Sequence, residues 1–124
     1  MLTAILLSAA APGITACPPP SNWSDRVPEA GLLHNTLRFE RGRITWNHVP
    51  VDEEHVQLYL FATTRLDPQP RLVIDTASMD CATLSRIVAM VERANVLCAN
   101  GMCVAADLTG FEPPPPPAPP APRR

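Results

Sequence analysis

Apolar and polar residues alternate with period two from Thr36 to Trp46, then recur with helical spacing to Ala94. Leu37 and Phe39 alternate with Arg38 and Glu40, as in a strand with one buried face. Glu40-Arg41-Gly42-Arg43 makes a polar turn in which Gly42 is free to take a positive φ. Ile44 and Trp46 resume the alternation, so the pair predicts a β-hairpin ending at Asn47-His48. Val49-Pro50-Val51 then leads to a helix that Asp52 caps, with Glu53 and Glu54 where the helix dipole favours negative charge. Val56, Tyr59, Leu60 and Thr63 share one face of that helix, and Asp67-Pro68 and Pro70 keep it from continuing.

Leu72-Val73-Ile74 predicts a covered strand. Ser78 or Asp80 caps a second helix with Leu84, Ile87, Val88 and Val91 as its buried stripe, and Asn95 is a left-handed stop. Arg86, Glu92 and Arg93 fall on the solvent side, and Met102 to Leu108 supplies a last strand. The expected fold is α+β: a small ββαβαβ two-layer sandwich with two helices on one face of the sheet.

The segment from Gly42 to Glu54 resembles the periplasmic domain of the ExbD/TolR biopolymer-transport proteins. In that family a strand, a turn, a linker ending in Pro-Val and an acid-rich helix start follow in this order. Arg71-Leu72-Val73-Ile74-Asp75 resembles the strand that follows, and Thr83 to Ala94 stands where the family has its second helix. The resemblance covers roughly half the chain. It implies a periplasmic domain that dimerises and works beside a proton-driven inner-membrane motor, with the last strand and second helix as contact elements. The family's transmembrane helix carries a proton-transferring aspartate. Here Met1 to Cys17 is shorter than the ~20 residues that span a bilayer, is broken at Pro12-Gly13, and has no acidic residue. Proton conduction is therefore not carried over.

That leader has a reading of its own. Leu2 to Ala11 forms a signal-peptide core, and Ile14-Thr15-Ala16-Cys17 fits a lipobox in which Cys17 is lipidated and anchors the protein to a membrane. The rivals are ordinary cleavage after Ala9-Ala10-Ala11 and an unprocessed segment, and the missing basic n-region weakens any processing. The expected organisation is a leader over 1–17, a linker over 18–35, the α/β domain over 36–110 and a proline-rich tail over 111–124. Pro113 to Arg124 favours a polyproline II rod with a basic tip, of use as a spacer or docking segment, against the plainer expectation of a disordered tail.

Composition narrows the function. All ten basic residues are arginine, the net charge is −2, and no basic stripe is interleaved with aromatics, so no nucleic-acid partner is expected. Four cysteines in an oxidising compartment invite pairing. Asn100-Gly101 sets a tight turn between Cys98 and Cys103, which predicts a bridge across it. Cys81 and Cys98 flank the second helix, ~20 Å apart at about 1.5 Å per residue and beyond disulfide reach. Cys81 is then a buried thiol, or the partner of Cys17 if that residue escapes lipidation. The plain alternative is four small buried apolar residues. The histidines are scattered and no C-x-x-C occurs, so no metal or cofactor is expected. His48, Asp52, Glu53, Glu54 and His55 form the densest polar group, read as an acidic helix start rather than an acid–base site, and no enzyme is expected.

The expected protein is a non-catalytic interaction module of a periplasmic transport system, with an envelope protein, possible homodimer and lipid-anchored membrane as partners. The rival is a small disulfide-stapled envelope lipoprotein that binds an unrelated ligand or inhibits an enzyme. A hydrolase requires His48, Asp52 and His55 to converge.

Overall fold

The computed structural model describes residues 17–29 and 31–111. Expectations for the leader before Cys17 and the tail after Phe111 lie outside these residues. The chain runs β1 His34–Glu40, β2 Arg43–Trp46, β3 Val49–Pro50, α1 Glu53–Thr63, β4 Arg71–Asp75, a 3-10 turn Thr76–Ser78, α2 Cys81–Ala94 and β5 Cys103–Ala106. One five-stranded sheet has the order β3-β2-β1-β4-β5. β1 is antiparallel to β2 and parallel to β4, and β4 is parallel to β5. Both parallel crossovers run toward the β5 edge, so right-handed connections place α1 and α2 on the same face of the sheet. The α+β two-layer architecture is as expected, with one strand more.

The extra strand is β3. Arg41 and Gly42, then Asn47 and His48, all have positive φ, so both reversals are two-residue turns of the hairpin type. The sequence showed only Gly42 as permissive. Asn47 Oδ1 accepts from Thr36 N at 2.8 Å and its side-chain amide donates to Asn35 at 2.9 Å, which offsets the left-handed backbone there. The chain therefore turns back once more before the helix, pairing Trp46 with Val49.

Leu37, Leu72, Ile74, Val56, Leu60, Ile87 and Val91 fill the space between sheet and helices, each contributing about 1.5–3 kcal/mol of burial. Asp52 caps α1 through the His55 N–H at 2.8 Å. Of the two candidates for α2, Asp80 is the cap, accepting from Thr83 N at 2.8 Å. Ser78 instead accepts from Phe39 N and donates to the Asp75 carbonyl, tying the 3-10 turn to β1. Asn95 ends α2 with φ +59°, as expected. Val88 is only half-buried, and Met90 and Ala94 join Leu84, Ile87 and Val91 in the stripe.

Three expectations are corrected. Residues 18–35 are not wholly a linker: Trp23 is buried in the core, Ser24 bridges Val104, and His34 and Asn35 begin β1. Phe111 belongs to the fold rather than the tail. The sheet face away from the helices carries a second cluster of Val73, Val104, Ala106 and Leu108, and Phe111 packs against it. Lastly, Cys81 is neither buried nor a free thiol. It is joined to Cys17, with the two Cα atoms 5.5 Å apart. One sulfur cannot carry both that bond and a lipid, so the pairing is the role left to Cys17 when it is not lipidated. Cys98–Cys103 is bridged as expected across Asn100-Gly101, both at positive φ, although only β5 and not Val96–Cys98 is a strand.

Candidate functional site

Two features stand apart from the packing of the fold. One is apolar and exposed, the other polar and largely covered.

The apolar feature lies at the β3 edge. Trp46, Asn47, Val49, Val51 and Tyr59 line a groove of about 290 Å³. Trp46 reaches the helix side of the sheet from the end of β2, and its ring meets that of Tyr59 at 5.3 Å between centroids, tilted 59°. The sequence placed Tyr59 on the buried face of α1 with Val56, Leu60 and Thr63. The other three are buried, but Tyr59 is 38% exposed because β3, only two residues long, leaves little sheet beneath it. Val49 is 60% exposed, and Leu58 and Phe61 are exposed on the outer side of α1. No buried side-chain N or O among the described residues lacks a hydrogen-bond partner.

The opposite edge is occupied. Ser24 N donates to the Cys103 carbonyl at 2.9 Å and Ala105 N donates to Ser24 O at 2.9 Å, so the chain's own N-terminal segment pairs with β5. β5 is buried throughout. This bridge covers part of the edge at which the last-strand contact is expected. The outward face of α2 is polar, and the concavity of about 430 Å³ between the helices is crossed by Arg86–Glu53 at 3.2 Å and Arg93–Gln57 at 3.0 Å.

The polar feature is a chain of side chains on the far face of the sheet. Arg38, expected to face solvent, is 7% exposed, because Leu108 and Phe111 cover that face. Its Nε lies 3.6 Å from Asp75 Oδ2 and its Nη2 donates to the Phe111 carbonyl at 3.4 Å. Its Nη1 donates to His48 Nε2 at 2.8 Å. A guanidinium only donates, so His48 Nε2 must accept and the ring proton sits on Nδ1. That N–H points at both Glu40 carboxylate oxygens, 3.3 Å away. The hydrogen bond from Thr45 Oγ1 to Glu40, at 2.7 Å, is the main cause that holds the Glu40 carboxyl below its ordinary range; His48 adds to it. This network was not legible in the sequence. The one available signal was His48 at a turn position that glycine fills at lower cost.

Because the folded-state pKa of Glu40 is depressed, its contribution to stability is complete above the ordinary carboxylate pKa and is lost as pH falls through the lowered value. Thr45→Val is expected to raise the Glu40 pKa toward its ordinary value and to flatten that acid limb. Carboxyl-carbon NMR titration checks this, and an unmoved Glu40 titration in the variant would refute the cause.

His48, Asp52 and His55 do not form one group. His48 belongs to Arg38 and Glu40, whereas His55 Nδ1 pairs with Asp52 at 2.7 Å in the first turn of α1. The His55 backbone N–H is the main cause that lowers the Asp52 pKa, so Asp52 is occupied as a helix cap. Among the described residues no cluster of three or more His, Cys, Asp or Glu is placed to hold a metal ion, and no helix is long and apolar enough to cross a membrane. No family model matches the chain, and no curated protein or solved structure matches it.

Proposed function

We propose that this protein is a non-catalytic interaction module of the bacterial cell envelope, and that it docks a protein partner through the Trp46–Tyr59 groove and the adjoining outer face of α1. The observation that carries the reading is an exposed aromatic and aliphatic surface around an open edge, while the opposite edge is already paired. Apolar surface of this kind, with Asn47 as the polar residue of its lining, marks protein contact sites. The resemblance to ExbD/TolR periplasmic domains supplies the partner class, a proton-driven membrane motor or a second copy of the chain. The expected sandwich with both helices on one face is compatible with it. Contact then runs through β3 and α1 instead of the last strand and second helix.

A second reading is favoured by the two disulfides: a small stapled envelope protein that binds an unrelated ligand or inhibits an enzyme. Both readings agree with an oxidising compartment, where such bonds persist.

A photo-crosslinking residue at Val49, in cells of the native host, separates the two. Adducts to a motor subunit or a second copy are expected, with none from the same residue at Arg86 on the polar helix face. Adducts to a different envelope protein would favour the second reading. Equal labelling from both positions would refute the groove as a docking surface.

A further inference from the structure

His48 occupies the second position of the two-residue turn between β2 and β3, with φ +71°. Glycine fills such a position at lower cost, so the left-handed backbone of a histidine there needs an offset. The side chain supplies it. Arg38 Nη1 donates to Nε2 at 2.8 Å, and the Nδ1–H points at both Glu40 carboxylate oxygens, 3.3 Å away. The ring thus ties the turn to β1 at two points. Asn47 before it and Val49 after it line the groove, and Val49 pairs with Trp46 across the turn. Freeing the ring from β1 therefore loosens one wall of the groove.

The tie to Arg38 holds in one protonation state only. A neutral imidazole has one donor and one acceptor, which match Glu40 and Arg38. A protonated ring has two donors and no acceptor, so neither rotation nor a flip lets it serve a guanidinium. Arg38 Nη1 is then left without that partner, in a side chain only 8% exposed, and an unpaired buried donor of a charged group is costly. While His48 is neutral, every buried side-chain N and O among the described residues has a partner. Protons reach the ring directly, since its side chain is 51% exposed. Glu40 stays ionised meanwhile: the Thr45 hydroxyl, with His48 adding to it, holds that carboxyl below its ordinary range. The imidazolium is drawn toward Glu40 and driven from Arg38. Asp75 of β4 stands behind Arg38 at 3.6 Å and keeps the guanidinium in place. Asp52 and His55 of α1 are paired with each other, so among the described residues Arg38 and Glu40 are the charged groups bonded to the ring.

We propose that His48 is a proton-operated latch on the Trp46–Tyr59 groove. Neutral, it holds the β2–β3 turn to Arg38; protonated, it lets go and the groove loses the support of that wall. Control of docking rests on the docking reading above, whereas the latch itself is a property of this chain alone. A hydrogen bond to a charged donor shifts such an equilibrium roughly tenfold, so docking falls on acidification by at most about that factor.

The full chain labelled with nitrogen-15 tests the latch. Its imidazole nitrogens report the charge of each ring. Its two indole N–H signals report Trp46 in the groove and Trp23 in the core. Between about pH 8 and about pH 5, where imidazoles change charge, the Trp46 and Arg38 Nε–H signals are expected to move with the His48 ring at one shared midpoint. The Trp23 signal stays. His48→Asn keeps a residue that accepts left-handed backbone but has no titrating ring, and it should abolish the response. His55→Gln removes the other ring beside Tyr59, 6.2 Å away, and should leave the response intact. A Trp46 signal that ignores the His48 midpoint, or that still titrates in His48→Asn, would overturn the latch. Crosslinking from Val49 in the envelope fraction, at the same two pH values, reads docking. Capture that falls several-fold at the acid value in the parent, but not in His48→Asn, supports control of docking. Equal capture at both values beside a moving Trp46 signal overturns that control. No capture at either value, with the Trp46 response intact, removes the docking partner and leaves the latch.

Discussion

Asp75→Ala is expected to destabilise the protein by about 3–5 kcal/mol, because it leaves a buried guanidinium without its counter-charge. Arg38 and Asp75 are 7% and 8% exposed, beneath Leu108 and Phe111. Asp75 Oδ1 also accepts from Ala77 N and Leu108 N, each at 3.1 Å, so the substitution strands two backbone donors as well. The same carboxylate thereby joins the end of β4, the 3-10 turn and the segment that closes the far face. Arg38 retains the Phe111 carbonyl and His48, but neither carries a full negative charge. The double variant Arg38→Met, Asp75→Leu removes both charges and is expected to recover most of the loss. The remaining deficit, about 1–2 kcal/mol, comes from the two orphaned N–H groups. Urea denaturation of the three proteins decides it. An Asp75→Ala variant within 1 kcal/mol of the parent would mean that water already reaches the pair.

The second large effect concerns the two crosslinks, which differ in the length of chain they close. Cys17–Cys81 joins residues 64 apart, and Cys98–Cys103 joins residues five apart. In the chain-entropy account the longer loop is worth about 4 kcal/mol and the shorter about 2 kcal/mol. Cys81→Ser should therefore lower the denaturation midpoint about twice as far as the pair Cys98→Ala, Cys103→Ala. Intact mass measured alongside reveals what Cys17 carries in the cell. Four thiols that alkylate only after reduction match the structure. A diacylated Cys17 would make Cys81→Ser nearly silent and would transfer the N-terminal restraint from a covalent staple to a membrane anchor.

The elements with a strong period were legible from the residues. Leu72-Val73-Ile74 could only be a covered strand, α2 carried its stripe and its Asn95 stop, and Asp52 announced the start of α1. The Cys98–Cys103 bridge followed from a glycine-containing turn between two close cysteines. β3 escaped notice because two residues have no period, and because Asn47 and His48 adopt left-handed backbone without glycine.

The candidate site was less legible, for a related reason. Alternation in β1 correctly assigns Leu37 and Arg38 to opposite faces, but it cannot say whether a face is wet. Arg38 reads as solvent-facing until Leu108 and Phe111, seventy residues on, fold over it. Likewise Tyr59 has the spacing of a core residue, and only the shortness of β3 leaves it on the surface beside Trp46. The pairing of Cys17 with Cys81 and the capping of β5 by Ser24 are contacts between distant segments. Local physics, readable in the residues, governs which segments are strand or helix, where they cap and stop, and which two cysteines are near neighbours. Tertiary structure alone decided which faces are covered, which sheet edge stays open and which polar side chains meet, because each depends on chain brought together from far apart.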